Sequence, residues 1–299
     1  MEVRNAQVLP LPFVPATWIT SISFDHMQYL GNTIEEIAGE KAGIIVPRVP
    51  VIYDGNDQKA AKVIRERAQE LNSPCYEVTR EDTEIIRNTC SGIDFSFKNE
   101  YYGNTVFSIP FIALYQVMNS SLALNKSFPH SFCRYRNLLL MDLHRLESKR
   151  TVHHLIHCNE RNGKYCVTII LIVDGAHNED GVARFVETAA HFQKDYPLTL
   201  LFSAVDDKDY TDMIRTILDK IQFRHVVVTQ VGGYRKVPAE QLAEIFKENG
   251  CTSAEVCEDA EEAFRKALSE KGDDGLLFCV GSLYLVGEIK TAILKGIGK

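Results

Sequence analysis

Residues 19 to 45, Ile19-Thr-Ser-Ile-Ser-Phe-Asp25-His26-Met-Gln-Tyr-Leu-Gly31-Asn-Thr33-Ile-Glu-Glu-Ile-Ala-Gly-Glu-Lys41-Ala-Gly-Ile-Ile45, decide how this chain is read. An apolar, β-branched run ends at Ser23 and is followed by the polar pair Asp25-His26. In open α/β sheets ligands collect at the carboxyl ends of strands, so this pair marks a candidate site. A turn at Gly31 leads into a short helix with Thr33 as its cap and Glu36 three residues on, the pattern of a capping box. Ile34, Ile37 and Ala38 give that helix its apolar stripe, and Lys41 falls on the same stripe. An amine on the buried side of a helix is costly unless it is paired or chemically altered. A partly exposed helix in which Lys41 snorkels is the plainer reading.

Working outward, 299 residues suit one large or two ordinary domains. A hydrophobic fraction of 45% and a charged fraction of 24% are those of a globular protein, and a net charge of -7 argues against a nucleic-acid surface. No apolar run reaches the roughly 18 residues of a membrane span, and the N-terminus lacks the succession of a signal peptide. The eight cysteines are scattered without a C-x-x-C pair, so a reduced, cytoplasmic protein is expected.

Prolines 10, 12 and 15 forbid regular structure before Trp18. Strands are expected at 49–53 and 75–78, with an amphipathic helix over 57–71 between them. Residues 93–97 and 105–109 alternate as a hairpin does, and 111–124 returns to helix. Residues 126–164 have poor periodicity, apart from 138–146, and read as a linker or irregular connection. From Tyr165 the alternation becomes regular. Strands at 166–173, 198–202, 225–229 and 276–280 are separated by helices, one of which opens at Pro238. Such repetition predicts a mostly parallel sheet covered on both faces.

Several constellations have two readings each. Asp25-His26 is either a metal or phosphate contact, or a cap beside a core histidine. Asp174-Gly-Ala-His177-Asn178 directly follows an apolar strand. It reads either as a nucleotide contact at the sheet edge or as a turn whose Asp174 and Asn178 cap the next helix. Asp206-Asp207-Lys208-Asp209 reads best as acids at the positive end of a helix dipole. Arg235 either grips an anionic ligand or is a solvated loop arginine, and Gly281-Ser282 is either an anion site or an N-cap. No G-x-x-x-x-G-K-[ST] phosphate loop occurs; Asn162-Gly163-Lys164 is followed by Tyr165 and a strand, which breaks the match.

Taken together, these stretches resemble the folylpolyglutamate synthase and dihydrofolate synthase family of ATP-dependent Mur-type ligases. The resemblance is carried by Ile19 to His26, Leu30-Gly-Asn-Thr33, Ile37-Ala-Gly-Glu-Lys41-Ala-Gly-Ile, Tyr115-Gln116-Val-Met-Asn119, Asp174 to Asn178, Asp207-Lys208-Asp209 and Gly281-Ser-Leu-Tyr-Leu-Val-Gly287. It covers about residues 16–125 and 171–299. By that resemblance His26 is a magnesium ligand, Glu2 a further metal-binding glutamate, and Lys41 a carbamylated lysine holding a second magnesium. A carbamate supplies the hard oxygen that magnesium prefers. Asn119, Asp174 and His177 are then ATP contacts. The implied reaction phosphorylates a folate carboxylate, and the amine of L-glutamate attacks the acyl phosphate.

The sequence also departs from the family pattern. The P-loop segment is not found, the Glu-Val-Gly-Leu-Gly-Gly motif is reduced to Met1-Glu2-Val3, and no Trp-x-Gly-Arg element occurs between 126 and 164. The expectation is therefore an α/β chain truncated at its N-terminus. Residues 1–150 form the central Mur-ligase-type ATP-binding domain, and 151–299 form a Rossmann-like C-terminal domain with a linker to about 164. The expected activity is ATP- and Mg2+-dependent addition of L-glutamate to a reduced folate by a monomer, with no nucleic acid or membrane partner. A non-catalytic remnant or nucleotide-binding module, and a cell-wall Mur ligase, are the alternatives.

Overall fold

In the computed structural model, residues 16–24, 30–100, 102–125, 151–156 and 169–296 are described, the strand 151–156 through its backbone. The chain divides into two compact units. The first comprises 1–87, 94–108 and 116–143; the second comprises 88–93, 109–115 and 144–299.

The first unit holds a three-stranded parallel sheet in the order β1 (Thr17–Ile19), β2 (Val51–Asp54), β3 (Cys75–Val78). The expected first strand is thus shorter than its apolar run: pairing with β2 stops at Ile19↔Tyr53, and Thr20 to Ser23 lie outside the strand. Helix α1 (Ile34–Ala42) is capped as its sequence implies, with Glu36 N donating to Thr33 Oγ1 at 3.2 Å. The return bond differs from the expected box, because Glu36 Oε2 accepts from Asn32 N at 2.7 Å. Helix α2 (Gln58–Glu70) starts where Asp57 Oδ1 accepts from Lys59 N and Ala60 N, and it buries Ala60, Ala61, Ile64 and Ala68. Ile19, Ala42, Ile45, Val51, Tyr53, Ile64 and Ala68 belong to one core cluster.

The hairpin expected from 93–97 and 105–109 is present as β5 (Gly92–Phe97) and β6 (Val106–Ile109). A third strand that the sequence did not announce, β4 (Thr83–Thr89), completes that sheet at the edge. Helix α3 (Tyr115–Leu124) begins later than Phe111, the expected start.

The second unit is built on a six-stranded sheet. Its strands are β7 (Thr151–Ile156), β8 (Ile169–Asp174), β9 (Leu198–Phe202), β10 (His225–Val228), β11 (Ala254–Val256) and β12 (Leu276–Val280). The spatial order is β11-β10-β9-β12-β8-β7, parallel throughout except for the antiparallel pair β7 and β8. The mostly parallel sheet is as expected, whereas the irregular reading of 126–164 is corrected at 151–156, which is a strand. The remainder of that segment, with its helical stretch 138–146, lies outside the described residues.

Strand periodicity sorts the core into two layers. Ile172, Leu200, Phe202, Val226 and Phe278 face α4 (Glu179–Phe192), α5 (Tyr210–Leu218) and α6 (Ala239–Glu248). Leu171, Val173, Leu201, Val227 and Leu277 face α7 (Ala260–Lys271) and α8 (Leu283–Leu294). Pro238 occupies the cap position before α6, one residue outside the helix it was expected to open.

Candidate functional site

The chain leaves β8 into α4 on one face of the sheet and leaves the neighbouring strand β12 into α8 on the other. Diverging connections open a crevice at the carboxyl ends of these strands, the place where such sheets take ligands.

One lip is the turn Asp174 to Asn178. Asp174 ends β8 at 6% exposure, and its Oδ1 accepts from Ala176 N at 3.0 Å. The carboxylate therefore stiffens its own turn. His177 Nδ1 lies 2.6 Å from the Gly175 carbonyl oxygen, which accepts a hydrogen bond from that nitrogen, so that in the neutral imidazole Nε2 is the acceptor. Asn178 caps α4 by accepting from Gly181 N at 2.9 Å. Of the two readings of this turn, the helix-capping one holds for Asn178. Asp174 bonds within the turn itself.

The other lip is Gly281-Ser282. Gly281 has φ +111°, and a Cβ there would run into the carbonyl oxygen of Ser203, so only glycine passes at this point. Ser282 caps α8 by accepting from Tyr284 N at 3.1 Å. Ser203, just past β9, is fully buried, and its hydroxyl has no protein partner among the described residues.

A cluster beyond this lip was not anticipated as a unit. Arg235 Nη1 donates to Asp207 Oδ2 at 3.0 Å, and its Nη2 donates to the Tyr284 hydroxyl at 2.6 Å. The guanidinium carbon also stands 5.6 Å from the centre of the Tyr284 ring and 5.9 Å from that of Tyr234. Tyr284 first, and then Asp207, hold the Arg235 proton even more firmly than usual. The expected acidic helix start is carried by Asp209, which caps α5 through Asp212 N at 3.1 Å, while Asp207 is drawn to Arg235. Nothing in the local sequence signals the cluster, because its members lie 28 and 49 residues apart. Beside it an open groove of about 820 Å³ runs along α8, lined among others by Gly232, Lys236, Tyr284, Gly287 and Glu288.

In the first unit Lys41 sits half-buried in the last turn of α1, consistent with its place on the apolar stripe. Asn119 is exposed on α3, where its Nδ2 donates to Gln116 Oε1 at 3.2 Å. His26 and Glu2 lie outside the described residues. Among the described residues no group of three His, Cys, Asp or Glu side chains could hold a metal ion. The described cysteines are free thiols, and burial pushes the thiol of Cys279 far above its ordinary range. No described helix is long and apolar enough to cross a membrane.

Residues 160–283, which span strands β8 to β12 of this doubly covered sheet, match the Mur ligase, glutamate ligase domain. The dihydrofolate synthase/folylpolyglutamate synthase of Bacillus subtilis is 30% identical over 288 residues, covering 93% of this chain and 62% of that protein. The chain carries a Mur ligase C-terminal domain and is homologous to the folylpolyglutamate and dihydrofolate synthases. Among solved structures, Mycobacterium tuberculosis folylpolyglutamate synthase complexed with ADP superposes with a TM-score of 0.69 at 24% identity, covering 94% of this chain and 63% of that one. The Thermotoga maritima folylpolyglutamate synthase gives 0.64 at 26% identity, covering 93% and 61%. The chain thus spans less than two thirds of the length of these relatives.

Proposed function

We propose that this chain acts as an ATP-dependent amide ligase that adds L-glutamate to the glutamyl side chain of a reduced folate. The observation that supports this most directly is the match along 93% of the chain to the dihydrofolate synthase/folylpolyglutamate synthase of Bacillus subtilis. The carboxyl-edge crevice of the second unit supports it chemically. A rigid carboxylate turn at Asp174 and an imidazole whose Nε2 can accept a hydrogen bond suit the hydroxyls of a nucleotide. In this reading Asp174, His177 and Asn119 hold ATP, and Lys41, His26 and Glu2 serve the magnesium.

ATP supplies the phosphoryl group that turns a carboxylate into an acyl phosphate. The chain's own task is then to hold the acceptor amine against that carbonyl, which is a matter of position and charge. We place the protein in the cytoplasm as a monomer, with domains at 1–150 and 151–299. Size-exclusion chromatography with light scattering tests the monomer.

The deciding experiment measures ADP release from ATP, Mg2+, tetrahydrofolate and L-glutamate by the purified chain. Turnover that is lost in a Lys41→Ala variant supports the ligase. Turnover no higher than in that variant overturns it, and ADP binding without turnover would instead assign a nucleotide-binding module.

A further inference from the structure

We infer that Arg235 is a positioning residue, a clamp that holds the first turn of α8 and the Gly281-Ser282 lip in place by gripping Asp207 and Tyr284 together. The two gripped residues come from different connections: Asp207 follows β9, and Tyr284 opens α8. Arg235 itself follows β10. One planar guanidinium therefore ties two loops and the first turn of a helix at the carboxyl edge of one sheet.

The backbone reinforces the same junction. Asp206 N donates to Arg235 O at 3.0 Å, and Val205 and Lys236 form an isolated antiparallel bridge. That pairing fixes where the Arg235 side chain starts. The ion pair and the tyrosine contact then fix where it ends. Tyr284 lies two residues from Ser282 and donates its amide to the Ser282 hydroxyl, so a displaced phenol ring disturbs the cap of α8 directly. Asp207, Arg235 and Tyr284 are each partly solvent-accessible, with Tyr284 at 48% and the Arg235 side chain at 36%. A cluster this open contributes little to global stability. Its geometry, with two directed bonds from one guanidinium, is suited to fixing orientation.

The arrangement also explains why arginine stands here. A lysine could keep one ionic partner, but it has no fork to reach Tyr284 at the same time.

Hydrogen exchange followed by mass spectrometry tests the clamp on the whole chain. In Arg235→Ala, exchange across 281–287 and 205–210 should rise by about fivefold, the scale of exposed charge-assisted contacts. Other segments and the melting temperature should stay nearly unchanged. Arg235→Lys should rescue little. Tyr284→Phe should give part of the effect, and the double variant Arg235→Ala/Tyr284→Phe should be no worse than Arg235→Ala alone. Unchanged exchange in these segments, full rescue by lysine, or additive effects of the two substitutions would each overturn the clamp.

The kinetic arm rests on the proposed ligase reading. There Arg235→Ala should raise KM for one of the three substrates by about fivefold while leaving kcat nearly intact, the pattern of lost uniform binding. A fall in kcat with every KM unmoved indicates a purely structural role and overturns the inference. If the unmodified chain shows no turnover, the ligase reading fails, and the exchange experiment still decides the clamp.

Discussion

The two parallel sheets of this chain differ in how much of each is edge. Among the described residues, two of three strands in the first unit's sheet, β1 and β3, are edges; in the second unit's sheet two of six are, β11 and β7. The consequence is visible in burial. Every residue of β9 and of β12 is buried, whereas β1 alternates buried and exposed, and β3 opens on an exposed cysteine. A central parallel strand is buried on both faces, and that requirement is written into its sequence as an apolar run, unbroken in β12 and interrupted in β9 only by Thr199. An edge strand has no such requirement.

The strongest test of this contrast is aimed at the crowded sheet. Gly281→Val should destabilise the second unit by about 3 kcal/mol or more, since it adds a positive-φ strain and a clash with the Ser203 backbone. Phe278→Ala, in the fully buried β12, should cost about 3 to 5 kcal/mol. Urea denaturation of both variants gives the numbers. A loss below about 1 kcal/mol for Phe278→Ala would show that the double-sided core is less tightly packed than it looks.

In the first unit, Ile64→Ala should cost about 2 kcal/mol or more, because Ile64 is 1% exposed against β1 and β2. If its cost equals that of Phe278→Ala, edge content does not set core sensitivity. Removing the α2 cap with Asp57→Ala should cost about 1 kcal/mol in the same assay.

The smallest effect concerns pH. Lys271 closes α7 at 2% exposure, its Nζ donating to Gly272 O and to Gly275 O, and burial lowers its pKa below the ordinary 10.5. The folded state thus disfavours the charged amine, a cost fully present below the folded pKa and relieved as pH rises toward 10.5. Wild type should therefore gain stability relative to Lys271→Met as pH rises toward 10.5, by less than about 1.4 kcal/mol for each pKa unit of lowering. Melting curves of the pair across that range check it, and a gap that narrows in the opposite direction sinks the argument.

What the sequence made legible follows the same division. The central strands β9, β10 and β12 and the amphipathic helices stood out, since the strands are apolar runs and the helices keep a helical period. The strands that did not announce themselves, β4, β7 and β11, are each at the edge of a sheet, where one flank faces no strand among the described residues. β4 is mostly exposed, and His153-His154 interrupts the apolar character of β7. At the candidate site, Asp174-Gly-Ala-His177-Asn178 was readable because its geometry is local. The Asp207, Arg235 and Tyr284 cluster was not, since three separate connections must converge before any of it exists.

The reversed strand β7 carries one more implication, a mechanical one. Its register pairs Thr151 with Asp174 and Ile156 with Ile169, so the polypeptide joins the sheet at the end where Asp174 lies. Tension applied to the chain ahead of Thr151 would open this pair as a zipper, one rung at a time, rather than shearing all rungs together. The first rung to part is the one holding Asp174. A pull transmitted through the connecting segment would reach the crevice before it reached the core.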